Sequence, residues 1–95
     1  VFIHKEKRKI FSQSRREEIS MSIENNIYEA LNDHDNVIVT GANQGRILEV
    51  VEKMTGEIGK TLSTGAVSYN FHNKKVYVGD MPFHPSLGDA ARITV

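Results

Sequence analysis

The 95-residue chain contains no cysteine and no tryptophan, and it has only two prolines. Without cysteine there is no disulfide, no thiol nucleophile and no Cys-based zinc site, which is compatible with a reducing compartment. No apolar run approaches the roughly 18 residues of a membrane-spanning helix, and the N-terminus has no signal-peptide pattern. We therefore expect an intracellular protein, cytoplasmic or nuclear, without a membrane segment.

The composition that remains is that of an ordinary folded domain, with 39% hydrophobic and 25% charged residues. A chain of this length forms one domain with a thin stability margin, so a partner subunit would help it. We expect residues 9–95 to form that domain, with residues 1–8 as a basic N-terminal extension or the lead-in to a first strand. Because the chain starts at Val1, we expect it to be a trimmed piece of a longer protein.

The net charge of zero conceals an uneven distribution of charge. Residues 1–16 carry a local charge of +5, whereas residues 17–35 carry −6 and contain no Lys or Arg. Phosphate-binding proteins concentrate positive charge in this way on one surface. The same pattern also fits a solvated basic arm beside an acidic helix, so charge alone leaves both interpretations open.

The first half of the chain predicts two strand–helix units. Ile10 and Phe11 indicate a strand over residues 9–13, and the Ser14–Glu17 capping box starts a helix. Apolar residues at helical spacing continue that helix: Ile19, Ile23, Ile27, Ala30 and Leu31. The β-branched run over residues 37–39 is typical of a central strand. An amphipathic helix with its apolar stripe at Ile47, Val50, Val51, Met54 and Ile58 follows, and Gly56 and Gly59 mark its end.

The last third of the chain reads as β structure. Alternating apolar residues over 67–71 and 75–78 predict a hairpin that turns at residues 72–74. Residues 79–89 form a loop, and residues 91–95 form a closing strand. The fold class is thus α/β (α+β), a two-layer β-α-β-α-β-β sandwich with two helices on one face of a four-stranded mixed sheet and a possible further strand.

The segment Val39-Thr40-Gly41-Ala42-Asn43-Gln44-Gly45 is similar to the opening of the cofactor loop in short-chain dehydrogenases. The third glycine of that pattern falls on Ile47, which the core stripe needs. About 50 residues follow, too few for the remaining units, and Tyr69 lacks a lysine four residues later. His72, Asp80 and His84 have no recognised metal spacing. We therefore predict no enzyme activity, no cofactor and no metal.

The same segment supports phosphate binding more simply. Asn43, Gln44, Gly45 and Arg46 open the second helix, where free backbone amides attract anions. Arg15 and Arg16 precede the first helix. Parallel neighbouring strands would bring the two helix-entry turns to one edge of the sheet. The simpler alternative is that the glycines only make a tight strand-to-helix turn.

The assembled pattern resembles the Alba superfamily of small DNA- and RNA-binding proteins. The segments that carry the resemblance are residues 9–12 with the helix over 19–31, residues 36–41, residues 44–47 with the helix over 50–58, and the hairpin with residues 91–95. The resemblance implies a homodimer, or a heterodimer with a related chain. It also implies nucleic-acid backbone contacts at Arg15, Arg16, Asn43, Gln44 and Arg46, and at Lys74 and Lys75 on a hairpin arm.

The chain has Arg15-Arg16-Glu17-Glu18 where that family usually has a Lys pair followed by Pro or a small residue, and it is less basic than most members. These differences favour RNA over tight coating of DNA. We therefore expect a small dimeric domain that binds nucleic acid, RNA ahead of DNA, through the helix-entry turns and the hairpin arm. The alternative is a protein-interaction or assembly module without a nucleic-acid ligand.

Overall fold

A computed structural model describes the backbone of residues 2–95 and the side chains of residues 18–95. The described chain is an α+β fold with two α-helices and a five-stranded mixed sheet. In chain order the elements are α1 (Phe2–Asp33), β1 (Asn36–Thr40), α2 (Gln44–Thr55), β2 (Lys60–Thr61), β3 (Val67–Phe71), β4 (Lys74–Val78), a 3-10 turn (Pro85–Leu87) and β5 (Ala90–Thr94).

Strand β1 occupies the interior of the sheet, whose strand order is β2-β3-β4-β1-β5. It pairs in parallel with β4 on one side and with β5 on the other. Strand β3 pairs antiparallel with both β2 and β4. The hairpin between β3 and β4 turns at His72 and Asn73, which have φ of 48° and 69°, as a two-residue hairpin turn requires. The predicted hairpin is therefore confirmed.

The hydrophobic core lies between the two helices and one face of the sheet. Helix α1 packs over β1 and β5, and α2 packs over β3 and β4. The sheet contributes Val37, Val39, Tyr69, Phe71, Val76 and Val78 to this core, and the helices contribute Ile23, Ile27, Leu31, Ile47, Val50 and Val51. The apolar stripes predicted for both helices thus form the core, with Ile19 and Ile58 as exceptions, since these are 54% and 87% exposed.

In the described part of the chain no helix covers the opposite face of the sheet, yet the central side chains of this face are buried. The strand register places Lys60, Ser68, Tyr77, Ile38 and Arg92 in one row across all five strands of this face. Residues 79–89, which we call the cover loop, extend beside this face, and Asn36 Nδ2 donates to the carbonyls of Leu87 and Asp89 at 2.8 and 3.0 Å. The side chains of Ile38 and Tyr77, which belong to this face, are 0% and 7% exposed.

The ends of α2 follow from two residues that the sequence identifies. The Asn43 side chain caps the helix by accepting from the Arg46 amide at 3.1 Å. Gly56 ends it in the left-handed conformation with φ of 69°, and its amide donates to the Glu52 carbonyl. Because α2 stops at Thr55, Ile58 lies beyond the helix and outside its apolar stripe.

The predicted first strand over residues 9–13 is wrong, because α1 runs from Phe2 to Asp33 through this region. Residues 2–33 contain no glycine or proline that would interrupt a helix. The Ser14–Glu17 capping box is equally wrong as a helix start, since both residues lie inside α1. Within the described residues, no helix is both long enough and apolar enough to cross a bilayer.

The sheet has five strands where we predicted four. The C-terminal strand β5 pairs in parallel with β1, at the position beside β1 that we assigned to the first strand. The fifth strand is β2, a two-residue strand that pairs with β3. The two-layer arrangement with both helices on one face therefore agrees with the prediction, whereas the strand count and the β-α-β-α-β-β order do not.

Gly41 and Gly45 make a matched pair for testing how tightly the turn after β1 is packed. A methyl group on Gly41 would collide with the Val95 carbonyl and lie 2.9 Å from the Ile47 side chain. A methyl group on Gly45 would meet nothing closer than 3.8 Å. We expect Gly41→Ala to destabilise the fold by about 1–3 kcal/mol and Gly45→Ala to leave it unchanged or up to about 1 kcal/mol more stable. Urea unfolding measures both, and equal stability of the two variants would contradict this packing.

Candidate nucleic-acid interface

The turn from β1 into α2 presents exposed backbone amides. Asn43, Gln44 and Gly45 are exposed, and Arg46 is half-buried. The Asn43 side chain and carbonyl accept from the amides of Arg46 and Ile47. Within the described residues, the amides of Gln44 and Gly45 make no hydrogen bond, so they are available to an anion. We call residues 43–46 the entry turn.

Arg46 connects the entry turn to α1. Its guanidinium donates to the Ser20 hydroxyl at 3.2 Å, which holds the cation against α1. Ile19, Ile23 and Val95 line a cleft next to it. Arg15 and Arg16 lie in α1 rather than in a second helix-entry turn, and their side chains lie outside the described residues. The entry turn is therefore the part of the predicted two-turn site that the structure describes.

The side chain of Lys74 binds the end of α1 and is not free to bind a ligand. Its side chain is on the core face of the sheet, and its ammonium group donates to the carbonyls of Leu31 and His34 at the end of α1. These carbonyls lack helical partners, so a cation there stabilises the negative end of the helix. Lys74 is half-buried, and its ammonium group is already satisfied by protein oxygens.

Lys75 points the other way and belongs to a polar depression on the open face of the sheet. Lys75 on β4 lies opposite Asn70 on β3, and Lys60 on β2 lies opposite Ser68 on β3. All four residues line one depression, which we call the lysine patch. Lys60 and Lys75 are exposed, and neither forms an ion pair within the described residues.

One carboxylate lies at the rim of the lysine patch. Glu57 lines the same depression, and its carboxylate accepts from the backbone N–H of Asn70 at 3.3 Å. This hydrogen bond ties the segment after α2 to strand β3. The patch therefore combines two ammonium groups, a hydroxyl and an amide side chain with one carboxylate that is already hydrogen-bonded.

The entry turn and the lysine patch lie at opposite ends of β1. Lys75 pairs with Asn36, the first residue of β1, and the entry turn follows Thr40, the last residue. Five strand residues span about 16 Å. The entry turn and the lysine patch also lie on different faces of the sheet, because α2 covers the core face and the lysine patch is on the open face. A ligand that touches both must bend around the molecule.

Charge is segregated between the two layers. Among the described residues, the helices carry most of the carboxylates, namely Glu18, Glu24, Glu29, Asp33, Glu49 and Glu52. The open face of the sheet carries Lys60, Lys75 and Arg92. Among these residues, the acidic stretch of α1 from Glu18 onward disfavours a polyanion, and the lysines of the open face attract one.

Arg92 is less available to a ligand than the two lysines. Its guanidinium is 3.5 Å from the Asp80 carboxylate and donates to the Met81 carbonyl. It also stacks over the Phe83 ring, 4.8 Å from the ring centre. These three contacts attach the cover loop to β5, so the first role of Arg92 is to hold that loop.

Sequence reasoning missed Lys60. Its alignment with Ser68 and its position near Lys75 depend on β2 pairing with β3, and a two-residue strand gives no periodic signal. The available sequence signal was Gly65, which makes the turn between β2 and β3 and has φ of 83° in the structure. The described residues contain no group of three His, Asp or Glu side chains suited to a metal ion.

Searches against protein-family models, curated proteins and solved structures find no match to this chain.

Lys74 and Lys75 are adjacent in sequence but differ in environment. Substituting each of them therefore distinguishes a lysine that stabilises the fold from one that is free to bind a ligand. Lys74→Met removes hydrogen bonds to the end of α1, so we expect it to lower the free energy of unfolding by about 1–2 kcal/mol. Lys75→Met should change it by less than about 0.5 kcal/mol, because the ammonium group is solvated. Urea unfolding at neutral pH measures this difference, and a reversed order would refute the assignment of Lys74 to the helix end.

His34 and Asp89 form an ionic contact at the end of the sheet where Lys74 binds α1. His34 Nδ1 is 2.8 Å from Asp89 Oδ1, which joins the residue after α1 to the residue before β5. The hydrogen bond from His34 is the main cause that holds the pKa of Asp89 below its ordinary value, and desolvation opposes it. The charge of His34, a backbone hydrogen bond from Asp35 and the charge of Lys74 lower the pKa further. The ionised form of Asp89 therefore favours the folded state.

Stability should fall in acid because of this contact. The unfolded pKa of Asp89 is near 4 and the folded pKa is lower. The contribution is therefore complete above pH 4 and is lost as the pH falls through the folded pKa. Asp89→Asn should flatten the dependence of the urea midpoint on pH below about 4, and His34→Gln should flatten it in the same direction. An unchanged acid dependence in Asp89→Asn would show that this pair does not couple folding to protonation.

Proposed function

We propose that the protein binds nucleic acid, with single-stranded RNA favoured over duplex DNA, through the phosphate backbone. The observation that carries the proposal is the lysine patch. It offers two exposed ammonium groups beside Ser68 and Asn70, on the face of the sheet opposite the helices. Phosphate contacts of this kind use Lys for charge and hydroxyl or amide groups for position.

The entry turn supplies a second phosphate contact in this proposal. The amides of Gln44 and Gly45 lack partners within the described residues, and Arg46 follows them in the same helical turn, with its guanidinium bonded to Ser20. A phosphate at this point gains from the helix N-terminus and from the guanidinium together. Arg15 and Arg16 stay in the proposal on the basis of sequence alone.

The separation of the two contacts favours a flexible ligand. They lie on different faces and about 16 Å apart along β1. A duplex is stiff over lengths of roughly 150 base pairs and reaches one of them at a time. A single strand can bend around the edge of the sheet and reach both, which is the mode common in RNA recognition.

Binding to fluorescently labelled RNA and DNA, single-stranded and duplex, at two or more salt concentrations tests the proposal. Three phosphate contacts at Lys60, Lys75 and Arg46 predict a slope of log K against log salt of about −2 for single strands. Lys60→Gln combined with Lys75→Gln should weaken single-strand binding and reduce the magnitude of the slope by about 1 to 2. Arg46→Gln should weaken it separately.

Lys53→Gln is the matched control, because it removes an exposed lysine from α2 and not from the open face. We expect Lys53→Gln to bind like the parent, with melting curves to confirm that all variants fold. If the parent binds none of the four ligands, nucleic-acid binding is wrong. If the parent binds and every variant binds equally well, the assigned contacts are wrong.

An assembly module is the second candidate, and a separate surface favours it. Met21 and Tyr28 are 58% and 42% exposed, and they line a groove between α1 and α2 with Met54. Exposed methionine and aromatic side chains are frequent at adaptable protein interfaces. This candidate predicts a stable oligomer that Met54→Ser or Met21→Ser weakens, with no salt-dependent affinity for nucleic acid.

A further inference from the structure

The outer edge of β5 is the longest free strand edge in the described part of the sheet. The inner edge faces β1, as the bonds from Val95 to Thr40 and from Asn36 to Asp89 show at 2.8 and 3.1 Å. Backbone groups alternate along a parallel strand, so Ala90, Arg92 and Thr94 direct their N–H and C=O groups outward. None of these outward groups has a partner within the described residues.

Strand β5 also lacks the features that usually protect a sheet edge. Folded proteins block such edges with proline, with lysine, with a bulge or with a covering segment. The sequence of β5 is Ala-Ala-Arg-Ile-Thr, and its regular register with β1 contains no bulge. Its one charge, on Arg92, is directed to the open face and engaged by the cover loop.

A groove runs beside this edge between β5 and α1. Its apolar lining consists of Ala30, Ala91 and Ile93, which are all half-buried, and its acidic side carries Glu29 and Asp33. Both carboxylates are exposed, and neither forms an ion pair within the described residues. A strand added at the edge of β5 would therefore have alternate side chains next to two negative charges.

The spacing of the two carboxylates matches a strand. Glu29 and Asp33 are four residues apart on α1, which separates them by about 6 Å along the helix. Alternate residues of an extended chain are about 6.7 Å apart and point to the same face. Two basic side chains at alternate positions can thus pair with both carboxylates while the backbone bonds to β5.

We propose that the β5 edge binds an extended, basic segment of a partner polypeptide, which adds a sixth strand to the sheet. Main-chain hydrogen bonds to Ala90, Arg92 and Thr94 provide affinity, and Glu29 and Asp33 select Lys or Arg at alternate positions. Charge disfavours a second copy of the same strand, since a symmetric pairing would bring both sets of carboxylates to the same interface. This surface is independent of the lysine patch and of the proposed function.

A labelled synthetic peptide of alternating Lys and Val residues tests the proposal by fluorescence anisotropy. We expect it to bind the parent protein more tightly than a peptide of the same composition with the lysines clustered, and more tightly than an alternating Glu–Val peptide. Combining Glu29→Gln with Asp33→Asn should weaken binding at least tenfold. Combining Glu49→Gln with Glu52→Gln on α2 makes the same charge change away from β5 and should leave binding within about twofold.

Backbone methylation of the peptide tests the hydrogen bonds without altering the protein. One set of alternate N-methyl groups, on all Lys or on all Val residues, must abolish binding, while the other set is tolerated, because only alternate amides face β5. Binding that ignores both methylation patterns, or that is equal for the clustered peptide, overturns the proposal. A dimer of the parent that the Glu29 and Asp33 changes strengthen, seen by sedimentation, also overturns it in favour of self-pairing.

Discussion

The burial of strand β1 on both faces and along both edges determines most of this structure. Val37, Ile38 and Val39 are each fully buried, although successive side chains of a strand point to opposite faces. The two helices cover one face, and the cover loop extends beside the other. Strands β4 and β5 supply the hydrogen bonds at the edges. Strand β4 is enclosed in the same way, since Val76, Tyr77 and Val78 are buried and strands pair with both of its edges. Strands β1 and β4 together therefore form the buried interior of the sheet.

The two ways of covering the sheet produce the two chemical characters of the surface. Amphipathic helices present their polar sides to water, and here those sides are rich in carboxylates such as Glu24, Glu29 and Glu49. The cover loop contacts the side chains of Asn36 of β1 and Arg92 of β5, and the half of this face near β2 and β3 remains open. Lys60 and Lys75 occupy this open half. Within residues 18–95, the carboxylates thus lie mainly on the helices, and two exposed ammonium groups lie on the open half of the sheet.

The sequence predicted the elements whose own residues show a clear hydrophobic pattern. The β-branched run at residues 37–39, the periodic stripe of α2 and the alternation through β3 and β4 are all signals of this kind. The first strand failed because Ile10 and Phe11 are a short apolar pair, which fits a strand or a helix equally well. No glycine or proline separates them from the helix that follows. Their helical state depends on this continuity and not on their own pattern.

The candidate site was predictable to the same extent. The entry turn follows from the sequence because Asn43 caps α2 directly after β1. The convergence with Arg15 and Arg16 required a second turn, which the continuous α1 does not contain. The lysine patch required the register of β2 against β3 and the alternation of Lys74 and Lys75 between faces. These are long-range and pairwise facts, and a single sequence with short strands contains little information about them.

The position of β5 has a consequence for the order in which the chain folds. Its register brings Thr94 beside Thr40, 54 residues away in sequence. The other edge of β1 pairs with β4, which also comes later in the chain. The most apolar segment of the protein is therefore synthesised long before either of its neighbours. Contacts of such large sequence separation slow folding, because a long loop must close before they form. Before β4 and β5 have been synthesised, α1 can cover the side chains of Val37 and Val39, whereas Ile38, on the other face, has no helix to cover it in the part of the chain that the structure describes.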